Sequence, residues 1–162
     1  ACLEADEKRK IYYMIKFLAG TGCRASELVK LEKECLQTGE FTMWTKGKIR
    51  GILIPRNLIK ESREYFETVP SEFLFPNKYG KQMSTSGVGS QIKKYGLRYG
   101  IRDEVLHPHA FRHLFAIHFL KQNKNIALLS DLLGHESLNT TAIYLRLSAA
   151  EQKKQLDKTV NW

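Results

Sequence analysis

Helical periodicity gives way to a β-prone pattern between Cys35 and Pro55, and that change sets the class of fold. Phe41-Thr42-Met43-Trp44-Thr45 and Gly51-Ile52-Leu53-Ile54 are β-prone runs. They are joined by Lys46-Gly47-Lys48-Ile49-Arg50 and preceded by the turn Gln37-Thr38-Gly39-Glu40. Runs this short and this close in sequence pair as a small antiparallel sheet. Helical patterns stand on both sides of them, so the expectation is a mostly α domain carrying one such sheet.

Ile11, Met14, Ile15 and Leu18 mark one apolar face of a helix from about Glu4 to Ala19, with Lys8, Arg9 and Lys16 off it and Gly20-Thr21-Gly22 ending it. A second helix is expected over about Arg24 to Glu32. Asn57 to Glu67 reads as another, followed by a loop from Pro70 to Tyr79 around Phe73-Leu74-Phe75. Gly87-Val88-Gly89-Ser90 lacks the third glycine and the preceding strand of a dinucleotide site. Ser86 to Tyr99 instead reads as a helix whose Lys93, Lys94 and Arg98 form a basic ridge, suited to phosphate contacts, although a solvated helix face explains it nearly as well.

Pro108 suits a first helical position, and Phe111, Leu114, Phe115, His118 and Phe119 trace an apolar face over His109 to Lys121. A shorter helix, Ile126 to Leu133, has Asn125 as N-cap and Gly134 as its terminating residue. His135 then lies on a tight turn. Ser137 or Asn139 caps a further short helix in which Thr141, Tyr144 and Leu145 fall within one turn. Ser148-Ala149-Ala150-Glu151 fits a capping box opening a last, polar helix to about Thr159.

These placements carry a chemistry. His109 and Arg112, three apart at a helix N-terminus, put an imidazole and a guanidinium beside free N–H groups, an arrangement that suits a phosphate. Arg24 falls at another helix start, where the dipole disfavours a cation unless an anion shares the site; a surface pair with Glu27 is the plainer reading. A turn histidine followed by Tyr144 can deliver a phenol to the same anion. The formal charge of +9, with 26 Lys and Arg spread along the chain, agrees with a polyanionic partner.

Composition bounds the rest. The 162 residues, 43% hydrophobic, suffice for one globular unit with its own core, residues 1–162. Cys2, Cys23 and Cys35 form neither a metal-type pairing nor an even disulfide framework, which points to a reducing compartment, with Cys23 and Cys35 as small buried residues. No apolar run of membrane-spanning length and no secretory leader stand in the sequence, so a soluble, intracellular chain without a membrane partner is expected. The histidines lack cysteines or carboxylates at ligand spacing, so neither metal nor cofactor is expected.

His109-x-x-Arg112-His113, Gly134-His135-x-Ser137 and Thr140-Thr141-x-x-Tyr144 resemble the carboxy-terminal signature of the tyrosine recombinases, the phage-integrase type of site-specific recombinase. Upstream, Thr21-Gly22-Cys23-Arg24-Ala25-Ser26-Glu27-Leu28 and Lys46-Gly47-Lys48 match that family's arginine segment and hairpin lysine, in the same order. The resemblance runs roughly from Lys8 to Ala149. It implies the family's DNA breaking-rejoining catalytic-domain fold, mostly α with a small three-stranded antiparallel β-sheet. It further implies site-specific recombination or integration of double-stranded DNA through a 3′-phosphotyrosyl intermediate on Tyr144, with neither metal nor ATP. The alternative readings are type IB topoisomerase-like relaxation of one strand, which uses the same chemistry, and a catalytically inactive DNA-binding accessory protein.

On that resemblance Arg24 and Arg112 hold the non-bridging oxygens, His109 is the preferred base, His135 adds hydrogen bonds, and Lys46 protonates the leaving 5′ oxygen, with Lys48 and Arg50 as close rivals. Glu27 and His113 stand behind them, the first orienting a basic residue and the second as a structural group. Lys48, Arg50, Lys93, Lys94 and Arg98 are the candidate DNA contacts. A tetramer on DNA is implied, with residues 147–162 packing on a neighbouring subunit. Starting at Ala1 in a charged run, the chain reads as part of a longer protein whose amino-terminal DNA-binding domain precedes it, working in a bacterial cytoplasm on the nucleoid.

Overall fold

The computed structural model describes residues 2–145. Helix α1, Cys2–Thr21, is its axis. Ile11, Met14, Phe17 and Leu18 recur on one face and are buried, as the i, i+3, i+4 spacing requires. The helix stops where the Thr21 hydroxyl bonds the Phe17 carbonyl at 2.6 Å and Gly22 turns to φ +66°.

Helix α2, Ala25–Leu28, is a single turn, shorter than the expected run to Glu32. The chain leaves it to pair with the 72–74 segment: the Lys33 amide donates to the Glu72 carbonyl at 2.8 Å, and the Leu74 amide to the Leu31 carbonyl at 2.9 Å. A further turn, α3 (Cys35–Thr38), closes on Gly39 in the left-handed region and leads into the hairpin.

The hairpin comprises β1, Glu40–Thr45, and β2, Lys48–Leu53, antiparallel and in register from Glu40 opposite Leu53 to Thr45 opposite Lys48. Among the described residues the sheet has these two strands, not three. Other extended backbone forms only single bridges, Glu32 with Phe73 and Pro76 with Gln82, and Pro76 has no N–H with which to extend a ladder. The connection is also tighter than the sequence pattern indicates. Lys46 and Gly47, at φ +49° and +77°, form the whole turn, the geometry whose twist matches the strands.

Helices α4 (Arg56–Thr68) and α5 (Thr85–Arg98) follow, then a short 3-10 turn, Asp103–Val105. Helix α6 is Pro108–Gln122 and α7 is Ile126–Leu133; α8, Leu138–Ala142, runs into a 3-10 turn, Ile143–Leu145, that carries Tyr144. The main core joins α1, α2, the hairpin, α4 and α5, with Phe17, Phe66 and Phe75 packed edge to face at centroid separations of 5.4–5.6 Å. A smaller cluster, Ala116, Leu120, Leu129 and Leu133, joins α6 to α7, with Phe115, Phe119 and Tyr144 against it.

Helix α6 is rotated relative to the expected apolar face. Arg112, Ala116 and Leu120 are its buried residues, whereas Leu114 and His118, expected inside, are exposed. Arg112 goes inward because its guanidinium finds carbonyl partners there, and the helix turns to suit it. The last helix expected after Ser148 lies outside the described residues, as does the expected packing of residues 147–162. Among the described residues no helix is long and apolar enough to cross a membrane.

Candidate functional site

The site is built around the carboxy-terminal end of α7. A helix leaves its last carbonyls unpaired, and the dipole makes that end negative. Here the His135 amide donates to the Ser130 carbonyl and the Gly134 amide to the Asp131 carbonyl, both at 3.0 Å, with Gly134 at φ +62°. This is a Schellman closure, and it leaves the carbonyls of Leu132 and Leu133 over. Two arginines from distant elements take them: Arg50 Nη2 bonds Leu132 O at 2.8 Å, and Arg112 Nη2 bonds Leu133 O at 2.7 Å. A buried cation and a helix's negative end thus satisfy each other.

Arg112 also donates through Nη1 to the Gly22 carbonyl at 2.6 Å, tying α6 to the α1–α2 turn. Gly22 can be nothing larger, since a Cβ there would stand 2.5 Å from Phe115 Cδ1 and 2.9 Å from Leu133 Cδ2. Burial and the neighbouring Arg24 charge pull the Arg112 guanidinium down to about 10, partly offset by Glu27 and Tyr144.

Glu27 knits the cations together. Its Oε1 accepts from Arg24 Nη1 at 3.2 Å and from Arg50 Nε at 3.1 Å, while Oε2 accepts from the Arg24 amide at 2.8 Å. Burial pushes its carboxyl up, but the Arg24 amide and the Arg50 charge together outweigh that and hold it below the usual carboxylate value. Arg24 stands at the N-cap position of α2 and keeps 40% of its side chain in solvent, so it is both paired and available.

His135 Nδ1 lies 2.7 Å from Thr141 Oγ1, a fully buried hydroxyl on α8. Burial, then the charges of Arg112, Arg24 and Arg50, lower its pKa, so the ring is held neutral. The Tyr144 ring lies edge-on to His113 at a centroid separation of 4.9 Å. That ring contact is what His113, expected as a structural group, makes.

His109 is exposed and faces Arg24 across a cleft of about 430 Å³. Ser26, Thr85, Ser86 and Pro108, from the first turns of α2, α5 and α6, line the same cleft. A second cleft, of about 520 Å³ between α3 and α4, holds none of the expected residues. Lys46 is exposed in the hairpin turn, and Lys48 beside it lies 3.5 Å from Glu136, next to His135.

Not every expected residue joins this cluster on the expected terms. Arg50, expected among the DNA contacts, is buried, with all its bonds to protein groups; strand parity explains why. In β2 it shares a face with Ile52, opposite Met43, and both are core residues. Lys93, Lys94 and Arg98 are exposed along α5, and Lys93 pairs with Asp103 at 2.5 Å. Thr141 is the site residue that the sequence left without a role, although its place in Thr140-Thr141-x-x-Tyr144 was the available signal. Among the described residues no three His, Cys, Asp or Glu side chains converge as metal ligands.

The sequence model of the phage integrase family matches residues 1–151, the stretch that carries every residue of this cluster. The chain belongs to the phage integrase family. Within it, the chain is similar to tyrosine recombinase XerA of Pyrococcus furiosus, 36% identical over 90% of this chain and 53% of that protein. It is 32% identical to tyrosine recombinase XerD of Staphylococcus epidermidis over 87% of this chain and 51% of that one. The chain therefore spans about half the length of these curated relatives. The crystal structure of the XerH site-specific recombinase bound to its difH substrate, a pre-cleavage complex, superposes with a TM-score of 0.70. That match has 25% identity and covers 98% of this chain and 49% of the other.

Proposed function

We propose that this phage integrase family chain is the catalytic domain of a site-specific DNA recombinase that cuts and rejoins strands through Tyr144. The observation that carries the reading is the assembly of Arg24, Arg112 and His135 around one carboxylate and one helix end, with the Tyr144 ring packed on His113, the residue next to Arg112. A guanidinium has five N–H donors, so Arg112, with two engaged on carbonyls, keeps others for a phosphate. The XerH complex supports DNA as the substrate.

In the proposed step the Tyr144 oxygen bonds to phosphorus while the bond from phosphorus to the 5′ oxygen breaks. A phenol, ordinarily near pKa 10, must lose its proton to attack, and His109 takes it. Lys46 gives a proton to the departing 5′ oxygen. Charge gathers on the non-bridging oxygens, where Arg24 and Arg112 stabilise it; this preorganised stabilisation is the largest contribution to rate in reactions of this kind. We assign the Thr141 hydroxyl as the donor to Nδ1, which leaves the His135 proton on Nε2 to hydrogen-bond the same oxygens. The phosphotyrosyl ester preserves the bond energy, so a 5′ hydroxyl can reverse the attack without metal or ATP. One nucleophilic tyrosine, Tyr144, cuts one strand per chain, so exchange between two duplexes takes four chains, joined on DNA through residues 147–162.

The test mixes the chain, or Tyr144→Phe, with a pool of nicked duplexes of randomised sequence in chelator and looks for denaturant-resistant protein–DNA adducts. An adduct that vanishes in the variant is the expected result. DNA bound without any adduct, or an adduct that survives Tyr144→Phe, would refute the assignment.

A further inference from the structure

Building on that reading, we infer that Trp44 and Ile49 form an apolar platform on the hairpin that packs against the DNA strand beside the phosphate served by Lys46. The two residues are directly opposite each other in the register. They lie one pair behind Thr45 and Lys48, which close the two-residue turn, so theirs is a closely spaced, non-hydrogen-bonded pair on one face. They point away from the core face that holds Met43, Arg50 and Ile52. Trp44 is 73% exposed and Ile49 66%, so two large apolar groups stand in solvent together among the described residues. Behind them, Gly51 opposite Thr42 adds no side chain, and a Cβ there would meet nothing within 4 Å.

What surrounds the pair selects the occupant. Lys46 lies two residues from Trp44 at the tip, while Glu40 is at the far end; Lys48 falls on the opposite face with Arg50 and pairs with Glu136. Arg50 does not contribute to this face, being turned inward onto Glu27. An apolar patch followed by a cation about 7 Å further along the strand suits a DNA strand, where sugar and base surface alternates with phosphate. Aromatic rings stack on bases and pack on deoxyribose whatever the sequence. The tight turn, with Lys46 and Gly47 both at positive φ, leaves little slack between platform and ammonium. Trp44 is therefore a positioning residue: by seating on the nucleotide that carries the leaving 5′ oxygen, it aims Lys46.

The 162-residue chain has its own core, so the experiment uses it whole, with Trp162→Phe throughout to leave Trp44 as the remaining tryptophan. Fluorescence is read in a Tyr144→Phe background, in which the proposed adduct cannot form, so the contact is measured independently of the chemistry. Emission typical of solvent-exposed indole, quenched by the randomised duplex pool, is expected. Emission already blue-shifted in the free chain, showing that residues 146–162 or a second copy cover the face, would overturn the inference, as would an unquenched signal on bound DNA.

Adduct formation supplies the second readout, on ordinary duplex and on duplex with sulfur in place of the bridging 5′ oxygen, a leaving group that needs no acid. Trp44→Ala should lose about tenfold or more on ordinary duplex, the size of one aromatic–base contact, and recover only in part on the sulfur duplex, because the seat on DNA is lost along with the aim of Lys46; Trp44→Phe should stay close to the parent. Lys46→Ala should recover on the sulfur substrate. If Trp44→Ala recovers there as fully as Lys46→Ala, Trp44 acts on the hairpin and not on DNA, and the platform is wrong.

Discussion

Removing Arg50 tests the architecture of the site most directly. Its guanidinium meets Glu27 Oε1 at 3.1 Å, Leu132 O at 2.8 Å, Gly51 O at 2.6 Å and, weakly, Asp131 O at 3.4 Å. Truncation to alanine strips one partner from a buried ion pair, a change that costs about 3–5 kcal/mol. Glu27 keeps the Arg24 amide and side chain, so the lower part of that range applies, about 3 kcal/mol for Arg50→Ala. In a chain of this size that lowers the melting temperature by roughly 6–12 °C. Urea unfolding followed by circular dichroism measures it, with Arg50→Lys beside it. A lysine cannot span Glu27 and the end of α7 with a planar fork, so it should restore less than half of the loss. The DNA assay separates this role from the expected phosphate contact: each lost contact would flatten the slope of log affinity against log salt by about 0.9, and no such change is expected. A loss under about 1 kcal/mol, the size of an exposed cation's contribution, together with a flattened slope, would refute the internal role.

Gly22→Ala places a Cβ 2.5 Å from Phe115 at φ +66°, so left-handed strain and overpacking together should cost about 2–4 kcal/mol in the same unfolding assay. Glu27 binds its proton less readily folded than unfolded, so its contribution is fully present above the ordinary carboxyl value of 4.5 and is lost as pH falls through the lower folded value. Glu27→Gln should therefore flatten the acid limb of stability against pH below about 5, seen as converging urea midpoints of parent and variant. His135 follows the same direction: protonation is disfavoured in the fold, so its ring proton resonances should titrate below the ordinary 6.5, and a midpoint at or above it would contradict the cationic surroundings described. Burial raises the Cys23 and Cys35 thiols to about 12, so neither should react with a thiol reagent until denaturant is added, as peptide mapping of the labelled chain will show.

Local chemistry was legible where a residue's own preferences decide the outcome. Asn125 and Gly134 bound α7 where the sequence placed it, since one side chain caps Leu128 N and the other residue tolerates φ +62°. Pro108 opens α6 for the same kind of reason. The positions of the hairpin and of Tyr144 followed from the change of period and from motif spacing. Where a segment's backbone bonds go elsewhere, local reading failed. Helix α2 stops at Leu28 because residues 31–33 bond residues 72–74, and the sheet stays two-stranded because the remaining extended segments meet at single bridges.

The direction in which the arginines point separates the two levels. Sequence by itself placed each candidate on its own helix start, hairpin turn or tight turn, because spacing is a local property; that these cations gather near a turn histidine and a tyrosine was what the family resemblance implied. Only the tertiary structure decided that Arg50 faces inward and that Arg112 is buried. A guanidinium enters a core where enough acceptors meet it, and those acceptors, Glu27, the Gly22 carbonyl and the two carbonyls left over at the end of α7, come from segments far apart in the chain.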